Sequence, residues 1–236
     1  MLQVCLNGRR TAADSGAVPM SPAALAAAAQ QAVAAGAEGV HVHPKAPCGR
    51  DSLAPEVVAA ALEAIRAVVD VPVGVTTGAR AEPDPGRRPA RVASWTVLPD
   101  HASVHWHEPG AEALAAALLE RGVGIEAGIR SGTAGAALFA RSPLAPRVLR
   151  VRVAVTDTDA GAAPAVAREV LAALDGTAPG RPVLLHGRDG GAWPVLRLAD
   201  ALGLDTRIGL EDTLLLPDGR PAHDNAQLIR AAAAAR

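Results

Sequence analysis

Val40-His41-Val42-His43-Pro44 alternates valine with histidine and ends at a proline. Alternate side chains of a β-strand share a face, so both imidazoles point to one side and both valines to the other. One face of such a strand can bind a metal while the other packs against helices. The stretch alone leaves two interpretations open: a metal-binding pair, or two polar residues at the end of a strand.

The composition indicates a globular α/β protein. The 236 residues are 50% hydrophobic but only 2% aromatic, so the core must consist of Ala, Val and Leu. A formal net charge of -1 gives no global field that would attract nucleic acid or an anionic membrane, and we expect neither as a partner. Cys5 and Cys48 form no metal-binding motif, which favours reduced thiols in a cytoplasmic protein. The N-terminus does not resemble a secretory signal, and no apolar run approaches the roughly 20 residues of a membrane span.

Short apolar strands alternate with alanine-rich helices along the chain, and we count eight strand–helix units. The predicted strands are Leu2–Leu6, Gly39–His43, Val73–Thr77, Ala102–His107, Val123–Glu126, Val148–Val155, Val183–His186 and Thr206–Leu210. The predicted helices are Pro22–Ala35, Pro55–Val69, Arg91–Thr96, Pro109–Arg121, Thr133–Phe139, Ala163–Leu174, Trp193–Leu202 and Asn225–Ala234.

This alternation predicts parallel strands with right-handed crossovers. Eight units favour closure into a single (β/α)8 TIM barrel over residues 1–236, with no linker or domain boundary. A doubly wound open sheet is the alternative fold. No Gly-x-Gly-x-x-Gly follows the first strand, which disfavours a dinucleotide-binding fold.

One side of the predicted strands is apolar and the other carries polar residues. The polar set is Asn7, His41, His43, Thr76, Ser103, His105, His107, Glu126, Arg152, His186, Arg207 and Glu211. Most of these residues lie at the C-terminal ends of strands, where barrel active sites are built. Because burying polar groups is costly unless each finds a partner, their convergence predicts a functional site.

Three of these residues are candidate metal ligands. The first strand of a barrel lies between the second and the eighth, so His41 and His43 can approach Glu211 across the interior. Two imidazoles and a carboxylate with open positions suit Zn²⁺ acting as a Lewis acid. His105 and His107 repeat the same spacing, and they either compete as ligands or hold substrate.

The chain also resembles the β-keto acid cleavage enzymes over nearly its whole length. The most specific motif is Arg207-Ile208-Gly209-Leu210-Glu211-Asp212, which follows the His-x-His pair at a distance. The other motifs that carry the resemblance are Asn7-Gly8, Ala35-Gly36-Ala37, Gly49-Arg50-Asp51-Ser52, Thr76-Thr77-Gly78, Ser103-Val104-His105, Asp218-Gly219 and Asn225-Ala226-Gln227-Leu228.

The resemblance implies a (β/α)8 barrel that binds Zn²⁺ through His41, His43 and Glu211. It implies a reaction in which a β-keto acid and acetyl-CoA give acetoacetate and a new acyl-CoA. Asp212, oriented by Arg207, would take the proton α to the keto group. Further expected substrate-site residues are Thr76, Thr77 and Gly78, which would contact the substrate carboxylate, and Asn7, Arg10, Ser103, His105 and Glu126. We also expect a homo-oligomer.

Other interpretations stay open. Arg207 and Asp212 also fit a structural ion pair that closes the mouth of the barrel. The same ligands would serve a metal-dependent aldolase or hydrolase without coenzyme A, or a degenerate barrel that binds metal without catalysis. The turn Gly187-Arg188-Asp189-Gly190-Gly191 could bind part of coenzyme A or be a plain tight turn.

The sequence departs from the family pattern where the substrate's far end is expected. Arg10 replaces a residue that is often acidic, Gly128 replaces a second glutamate, and His105 and Thr213 replace asparagines. The metal ligands and the proton-transfer pair are retained, so the identity of the substrate is the open question. Arg10 suits an acidic far end better than an amine.

Overall fold

The computed structural model describes residues 1–177 and 180–235. Eight strands alternate with eight α-helices within these residues. The strands are β1 (Leu2–Cys5), β2 (Gly39–Val42), β3 (Val73–Thr76), β4 (His101–His105), β5 (Gly124–Arg130), β6 (Arg150–Val155), β7 (Val183–Gly187) and β8 (Asp205–Ile208). The helices are α1 (Pro22–Ala34), α2 (Pro55–Arg66), α3 (Arg87–Ala93), α4 (Ala111–Glu120), α5 (Gly135–Ala140), α6 (Ala163–Ala173), α7 (Ala192–Ala201) and α8 (Asn225–Ala234).

The sheet is a closed barrel. Each strand pairs in parallel with the next one along the chain, and β8 pairs with β1. The predicted (β/α)8 fold is therefore confirmed, and the open sheet is excluded. The register places His41 beside Cys5 on one flank of β1 and Arg207 beside Gln3 on the other. Residues from both ends of the chain thus reach the same part of the barrel interior.

Helix starts follow local chemistry. The Ser21 side chain caps α1 by accepting a hydrogen bond from the backbone N–H of Ala24, and Pro22 occupies the first turn, where no N–H is needed. The Asp224 side chain caps α8 by accepting from the N–H of Gln227 at 2.6 Å. Each such cap stabilises a helix by about 1 kcal/mol.

The apolar core lies between the barrel and its helices. Val4, Val40 and Val73 point outward from the strands and are fully buried against helix residues such as Leu25 and Leu62. Burying one such side chain contributes about 1.5–3 kcal/mol. The strand parity inferred from sequence therefore divides the barrel correctly into an apolar outer side and a polar inner side.

The N-terminal end of the interior contains a polar layer that the sequence did not reveal. The His101 Nε2 atom lies 2.9 Å from Nη2 of Arg150 and 3.3 Å from Nε2 of Gln3. Gly74 leaves the space for this imidazole, since a Cβ there would lie 2.1 Å from His101 Nε2. The sequence predicts that the strand begins at Ala102, which leaves His101 just outside it, whereas β4 begins at His101.

Most elements differ from their predicted bounds by up to three residues, and the largest shifts are in α3 and β5. The helix α3 begins at Arg87 instead of Arg91, with Pro89 in its first turn, where the missing N–H costs no hydrogen bond. The strand β5 continues to Arg130 instead of ending at Glu126, because β4 and β6 pair with it on both sides. That pairing overrides the weak strand preference of Gly128.

A separate search for membrane spans gives a negative result: none of the described helices is both long and apolar enough to cross a bilayer.

Candidate functional site

A cavity of about 300 Å³ opens at the C-terminal ends of the strands. This is the end of a (β/α)8 barrel at which active sites lie. Residues on or just after every strand contribute to its wall. The predicted site residues that line it are His41, His43, Thr76, Gly78, His105 and Glu211.

His41, His43 and Glu211 converge at one side of this cavity. Their potential ligand atoms lie within 4.8 Å of one another. The Glu211 Oε2 atom is 3.8 Å from His41 Nε2 and 3.6 Å from His43 Nε2. The three side chains thus meet as the barrel topology predicts, two from the β2 end and one from just beyond β8.

The chemistry of these three residues fits a divalent cation. Glu211 Oε2 is buried and has no hydrogen-bond partner within the described chain, a costly state unless a cation meets it. Burial lowers the pKa of His41 well below its ordinary value, so its ring is neutral, as metal binding requires. Burial alone would raise the pKa of Glu211, but Arg207 and the two histidines hold it well below its usual range. Two imidazole nitrogens and one carboxylate form a ligand set typical of catalytic zinc sites.

The second histidine pair forms a less suitable cluster. His105, His107 and Glu108 also place ligand atoms within 4.8 Å of one another. However, His105 Nε2 lies 3.0 Å from Arg152 Nη2, and Arg88 pairs with Glu108 at 2.7 Å. A cation there would have to displace a guanidinium and compete with another. The geometry therefore favours His41, His43 and Glu211 as the metal centre.

Asn7 and Gly8 shape the metal centre from the end of β1. The Asn7 side chain bonds both backbone groups of His43: Oδ1 accepts from its N–H at 3.0 Å and Nδ2 donates to its carbonyl at 3.0 Å. Gly8 has a φ of +55°, and a Cβ there would lie 2.1 Å from Cγ of Glu211. Asn7 does not line the cavity, and its contacts fix His43, a candidate metal ligand.

Asp51 orients His43. Its Oδ2 lies 3.0 Å from His43 Nδ1, and its Oδ1 accepts from the buried Lys45 ammonium at 2.5 Å. A carboxylate that holds the second nitrogen of a ligand histidine fixes the ring and raises its basicity. Asp51 is thus a candidate functional residue; the sequence gives it no individual role, although its motif is part of the family resemblance.

The glycine of the Arg-x-Gly-x-Glu-Asp motif, Gly209, is required by a close approach of two backbone segments. The chain after β8 passes so close to β1 that a Cβ at Gly209 would lie 2.1 Å from the Cys5 carbonyl oxygen. Asn225 joins the same two segments: its Oδ1 accepts from Leu210 N–H at 2.8 Å, and its Nδ2 donates to the Leu6 carbonyl at 3.0 Å. These contacts fix Glu211 opposite the histidines.

Arg207 holds both carboxylates of the motif. Its Nη2 donates to Glu211 Oε1 at 2.8 Å and to Asp212 Oδ1 at 2.9 Å, while its Nε donates to Asp212 Oδ2 at 3.0 Å. Cys5 Sγ also donates to Asp212 Oδ2, at 3.1 Å. Asp212 is fully buried and is not among the residues that line the cavity. Burial would raise the pKa of Asp212, but Arg207 and His186 hold it far below its usual range.

A continuous polar chain crosses the barrel from Asp212. His186 Nδ1 lies 3.0 Å from Asp212 Oδ2, and its Nε2 is 3.0 Å from Arg152 Nη1. The other side of the same guanidinium meets His105, whose Nδ1 lies 3.3 Å from Glu108 Oε1. Arg152 therefore links the proposed proton-transfer pair to the far wall of the cavity.

Four other predicted substrate-site residues lie outside the cavity wall. Thr77 is turned away and donates to the Ser103 carbonyl at 2.6 Å, and the Ser103 side chain is buried beside it. Glu126 lies deeper, between Arg150 and Arg152. Arg10 is held by Asp189 of the β7–α7 turn, at 2.5 Å.

The positively charged residues of the cavity wall are Arg9, Arg80, Arg130, Arg152 and Arg188. The sequence does not single out Arg9, Arg80 or Arg130 for the site, whereas Arg152 belongs to its polar inner set and Arg188 to the turn considered for coenzyme A. Arg188 also lies 3.4 Å from Glu211 Oε1. The acidic residues of the wall are Glu108 and Glu211. The wall is thus strongly cationic, a property invisible in a net charge of -1.

Fold and site together define a class: a (β/α)8 barrel with a candidate metal centre and a cationic cavity at its C-terminal face. The sequence matches the family described as beta-keto acid cleavage enzyme over residues 1–236. The chain therefore belongs to the beta-keto acid cleavage enzyme family, as the motifs predicted. A comparison with curated proteins finds no significant match.

Solved structures of ObcA share the fold. The apo structure superposes with a TM-score of 0.73 at 17% identity, and it covers 92% of this chain and 61% of that one. A ternary complex with a C4-CoA adduct and oxalate gives 0.74 at 18% identity, with 92% and 63% covered. A binary complex with oxaloacetate gives 0.72 at 18% identity, with the same coverage. The chain thus spans about three fifths of the length of these proteins.

Proposed function

We propose that this protein is a metal-dependent β-keto acid cleavage enzyme that converts a β-keto acid and acetyl-CoA into acetoacetate and a new acyl-CoA. Zn²⁺ is the cation we propose for His41, His43 and Glu211. The observation that carries the proposal is the buried, unpartnered Glu211 Oε2 facing the two imidazoles in a cavity wall. Family membership and the ObcA complexes with oxaloacetate and a C4-CoA adduct support the choice of substrates.

We propose that the keto acid carboxylate binds at the C-terminal end of β3. Thr76 Oγ1 accepts a hydrogen bond from the Gly78 N–H at 3.3 Å, which leaves the hydroxyl hydrogen free to donate to a carboxylate. Both residues line the cavity. Thr77 supports this turn through its bond to the Ser103 carbonyl. In this proposal Thr76 and Gly78 contact the substrate, and Thr77 holds the loop.

Asp212 is the proposed base, and it is a weak one. It does not line the cavity in this structure, so the proposed step requires its carboxylate to meet the substrate in the bound complex. Its two oxygens are held by Arg207, so it takes a proton only from a carbon acid that has become unusually acidic. A divalent cation held by His41, His43 and Glu211 would polarise the keto oxygen and stabilise the enolate charge when bound. Arg207 keeps Asp212 ionised and its carboxylate fixed.

The bond changes balance without an oxidant or reductant. Asp212 removes a proton from carbon 2 of the keto acid. Carbon 2 of the resulting enolate attacks the thioester carbonyl of acetyl-CoA, and the coenzyme A thiolate leaves. The thiolate attacks the original keto carbon, and the bond from that carbon to carbon 2 breaks. Carbon 2 then regains the proton from Asp212. The products are a new acyl-CoA and acetoacetate.

The direct test is acetoacetate formation from a panel of β-keto acids. We expect product only when keto acid, acetyl-CoA and Zn²⁺ are all present. Consumption of the keto acid without acetyl-CoA would indicate an aldolase or hydrolase instead. A protein that binds Zn²⁺ but turns over none of the acids would indicate a non-catalytic barrel.

Replacing Asp212 separates its proposed role from that of a structural ion pair. We expect Asp212→Asn to bind Zn²⁺ normally and to lose about 10²- to 10⁴-fold in kcat. Asp205→Asn is the matched control, because it removes an ion pair with the N-terminal ammonium away from the cavity wall. Normal turnover by Asp212→Asn would show that the pair is structural. The homo-oligomer expected from the sequence stays a prediction, which the molar mass in solution would test.

A further inference from the structure

Arg152 is a buried cation that faces the cavity. It lies on the inner side of β6, with 4% of its side chain exposed, and it lines the cavity wall. Removing a guanidinium from water is costly unless an anion compensates its charge. The charges around Arg152 therefore indicate whether the protein supplies that anion or leaves the position to a ligand.

The protein supplies only part of the compensation. Glu126 Oε1 lies 2.8 Å from Arg152 Nε, but Glu126 Oε2 also pairs with Arg150 Nη2 at 2.6 Å. One buried carboxylate is thus shared by two buried guanidiniums. The barrel interior is left with one positive charge in excess at this point.

The imidazoles beside Arg152 add no negative charge. A guanidinium can only donate, so Nε2 of both His105 and His186 must accept at 3.0 Å, and both rings carry their hydrogen on Nδ1. Burial agrees with this, since it lowers the pKa of each ring to about 4. Both rings are neutral at physiological pH.

The carboxylates at the far ends of these hydrogen-bonded chains have their own cations. Arg88 pairs with Glu108 at 2.7 Å. Arg207 bonds Glu211 and Asp212, and Arg188 approaches the same two carboxylates at 3.4 and 3.9 Å. Neither group of carboxylates is available to balance Arg152.

A second arginine lies on the same wall. Arg130 ends β5, lines the cavity, and forms no ion pair with any carboxylate in the described part of the chain. The register of β5 and β6 sets Gly128 beside Arg152 and Arg130 beside Ala154. The two arginines therefore alternate with two small residues that also line the cavity. Small residues between two cations leave room for a ligand group.

Gly128 must lack a side chain for this arrangement to exist. A Cβ there would lie 2.9 Å from Arg152 Nη2 and 2.8 Å from His105 Cδ2. A larger residue would fill the space in front of Arg152, and an acidic one would neutralise it. Glycine keeps the guanidinium both accessible and charged.

We propose that Arg152 and Arg130 form a subsite for a second carboxylate, so that the substrate is a β-keto dicarboxylic acid. This inference rests on the proposed function. The keto group and first carboxylate lie toward β2 and β3, and β6 is across the barrel from β2, so the subsite receives the far end of the acid. A cavity of about 300 Å³ accepts a small diacid but not a whole coenzyme A molecule. The role we had assigned to Arg10 passes to these two residues, since Arg10 is occupied by Asp189.

Two six-carbon acids test the subsite in the Zn²⁺-loaded enzyme. The acids are 3-oxohexanedioate and 3-oxohexanoate, which differ in whether the far end is a carboxylate or a methyl group. We expect kcat/KM with acetyl-CoA to be at least about 100-fold higher for the diacid, in line with charge-assisted hydrogen bonds. Equal values, or a preference for the monoacid, would overturn the proposal.

Arg130→Gln is the variant of choice, because Arg130 is exposed and its loss should not impair folding. We expect about a 10-fold or greater loss of kcat/KM for the diacid and less than a 2-fold change for the monoacid. Arg147→Gln removes an equal charge before β6, at the other end of the barrel, and should change neither value. An equal loss for both acids in Arg130→Gln would contradict the subsite.

A binding measurement keeps this test separate from the proposed function. Calorimetry with unreactive hexanedioate and hexanoate needs no turnover. If neither keto acid reacts but hexanedioate binds more tightly and loses that advantage in Arg130→Gln, the subsite stands and the proposed reaction fails. If both keto acids react alike and the two unreactive acids bind alike, the reaction stands and the subsite fails.

Discussion

Asp51→Asn should weaken Zn²⁺ binding without touching a ligand atom. The carboxylate holds His43 Nδ1 at 3.0 Å and is buried, so no water replaces it. An asparagine of the same shape loses the charge that makes His43 a stronger donor to a metal. Removal of such an outer-shell carboxylate typically weakens metal binding by about 10- to 100-fold, or about 1.4–2.7 kcal/mol. The structure points to the upper part of this range, because Asp51 is almost fully buried.

The substitution also removes the carboxylate partner of a buried cation, the Lys45 ammonium. Lys45 Nζ donates to Asp51 Oδ1 at 2.5 Å and to the Gly8 carbonyl at 2.6 Å, with 2% of its side chain exposed. Breaking a buried ion pair from one side costs about 3–5 kcal/mol of folding free energy. The loss of metal binding must therefore be separated from a loss of stability.

Lys45→Met supplies that separation. It breaks the same ion pair but leaves the Asp51–His43 contact in place, so we expect it to share the stability loss and to keep Zn²⁺ affinity. Competition against a chromophoric chelator gives the dissociation constant, and urea unfolding of the metal-free protein gives the stability. Wild-type affinity in Asp51→Asn, or an equal loss in Lys45→Met, would refute the reasoning.

Three further results are expected. Burial lowers the pKa of three histidines from 6.5 to about 4, so their rings stay neutral in the folded protein until the pH approaches 4. These residues are His101, His105 and His186. The unfolded chain then binds more protons below pH 6.5, so the urea midpoint of metal-free protein should fall steeply from pH 7.5 to 5.0, and an unchanged midpoint would count against buried neutral rings. Gly209→Ala should greatly reduce the yield of folded protein, because its Cβ meets the Cys5 backbone at 2.1 Å, whereas Gly16→Ala, with open space around it, should not. Gly128→Ala should lower the unfolding free energy by about 1–3 kcal/mol and reduce the preference for a diacid, as its Cβ presses on Arg152; wild-type values for both would disprove that contact.

The fold could be predicted almost completely because its signal is repeated along the chain. Each strand has an apolar side that packs on helices, and eight such units admit few topologies. The errors fell where tertiary contacts outweigh local preference. Neighbouring strands extend β5 through Gly128, and α3 tolerates Pro89 in its first turn. Neither effect is visible from one segment alone.

The convergence of the three candidate metal ligands could be inferred from strand parity and topology. The sequence did not show which of the inward-pointing polar residues line the cavity, because strand parity does not give the position of a residue along the barrel axis. Glu126 points inward but lies below the cavity, while Arg152, two positions further along β6 than Arg150, reaches it. Arg10 looked suited to the substrate from sequence, but Asp189 holds it. Pairing partners decide such roles, and they become visible only in three dimensions.

The candidate metal ligands come from opposite ends of the chain. His41 lies in the second strand and His43 just after it, while Glu211 follows the last strand, and the junction of β8 with β1 brings them together. A nascent chain on the ribosome therefore displays the histidine pair long before a complete site exists. We therefore expect Zn²⁺ to bind only after β8 has paired with β1 and the barrel has closed. The bound ion should then stabilise the β1–β8 pairing against opening. The rate of Zn²⁺ release and the rate at which β1 separates from β8 should therefore be equal, because both measure the opening of the barrel.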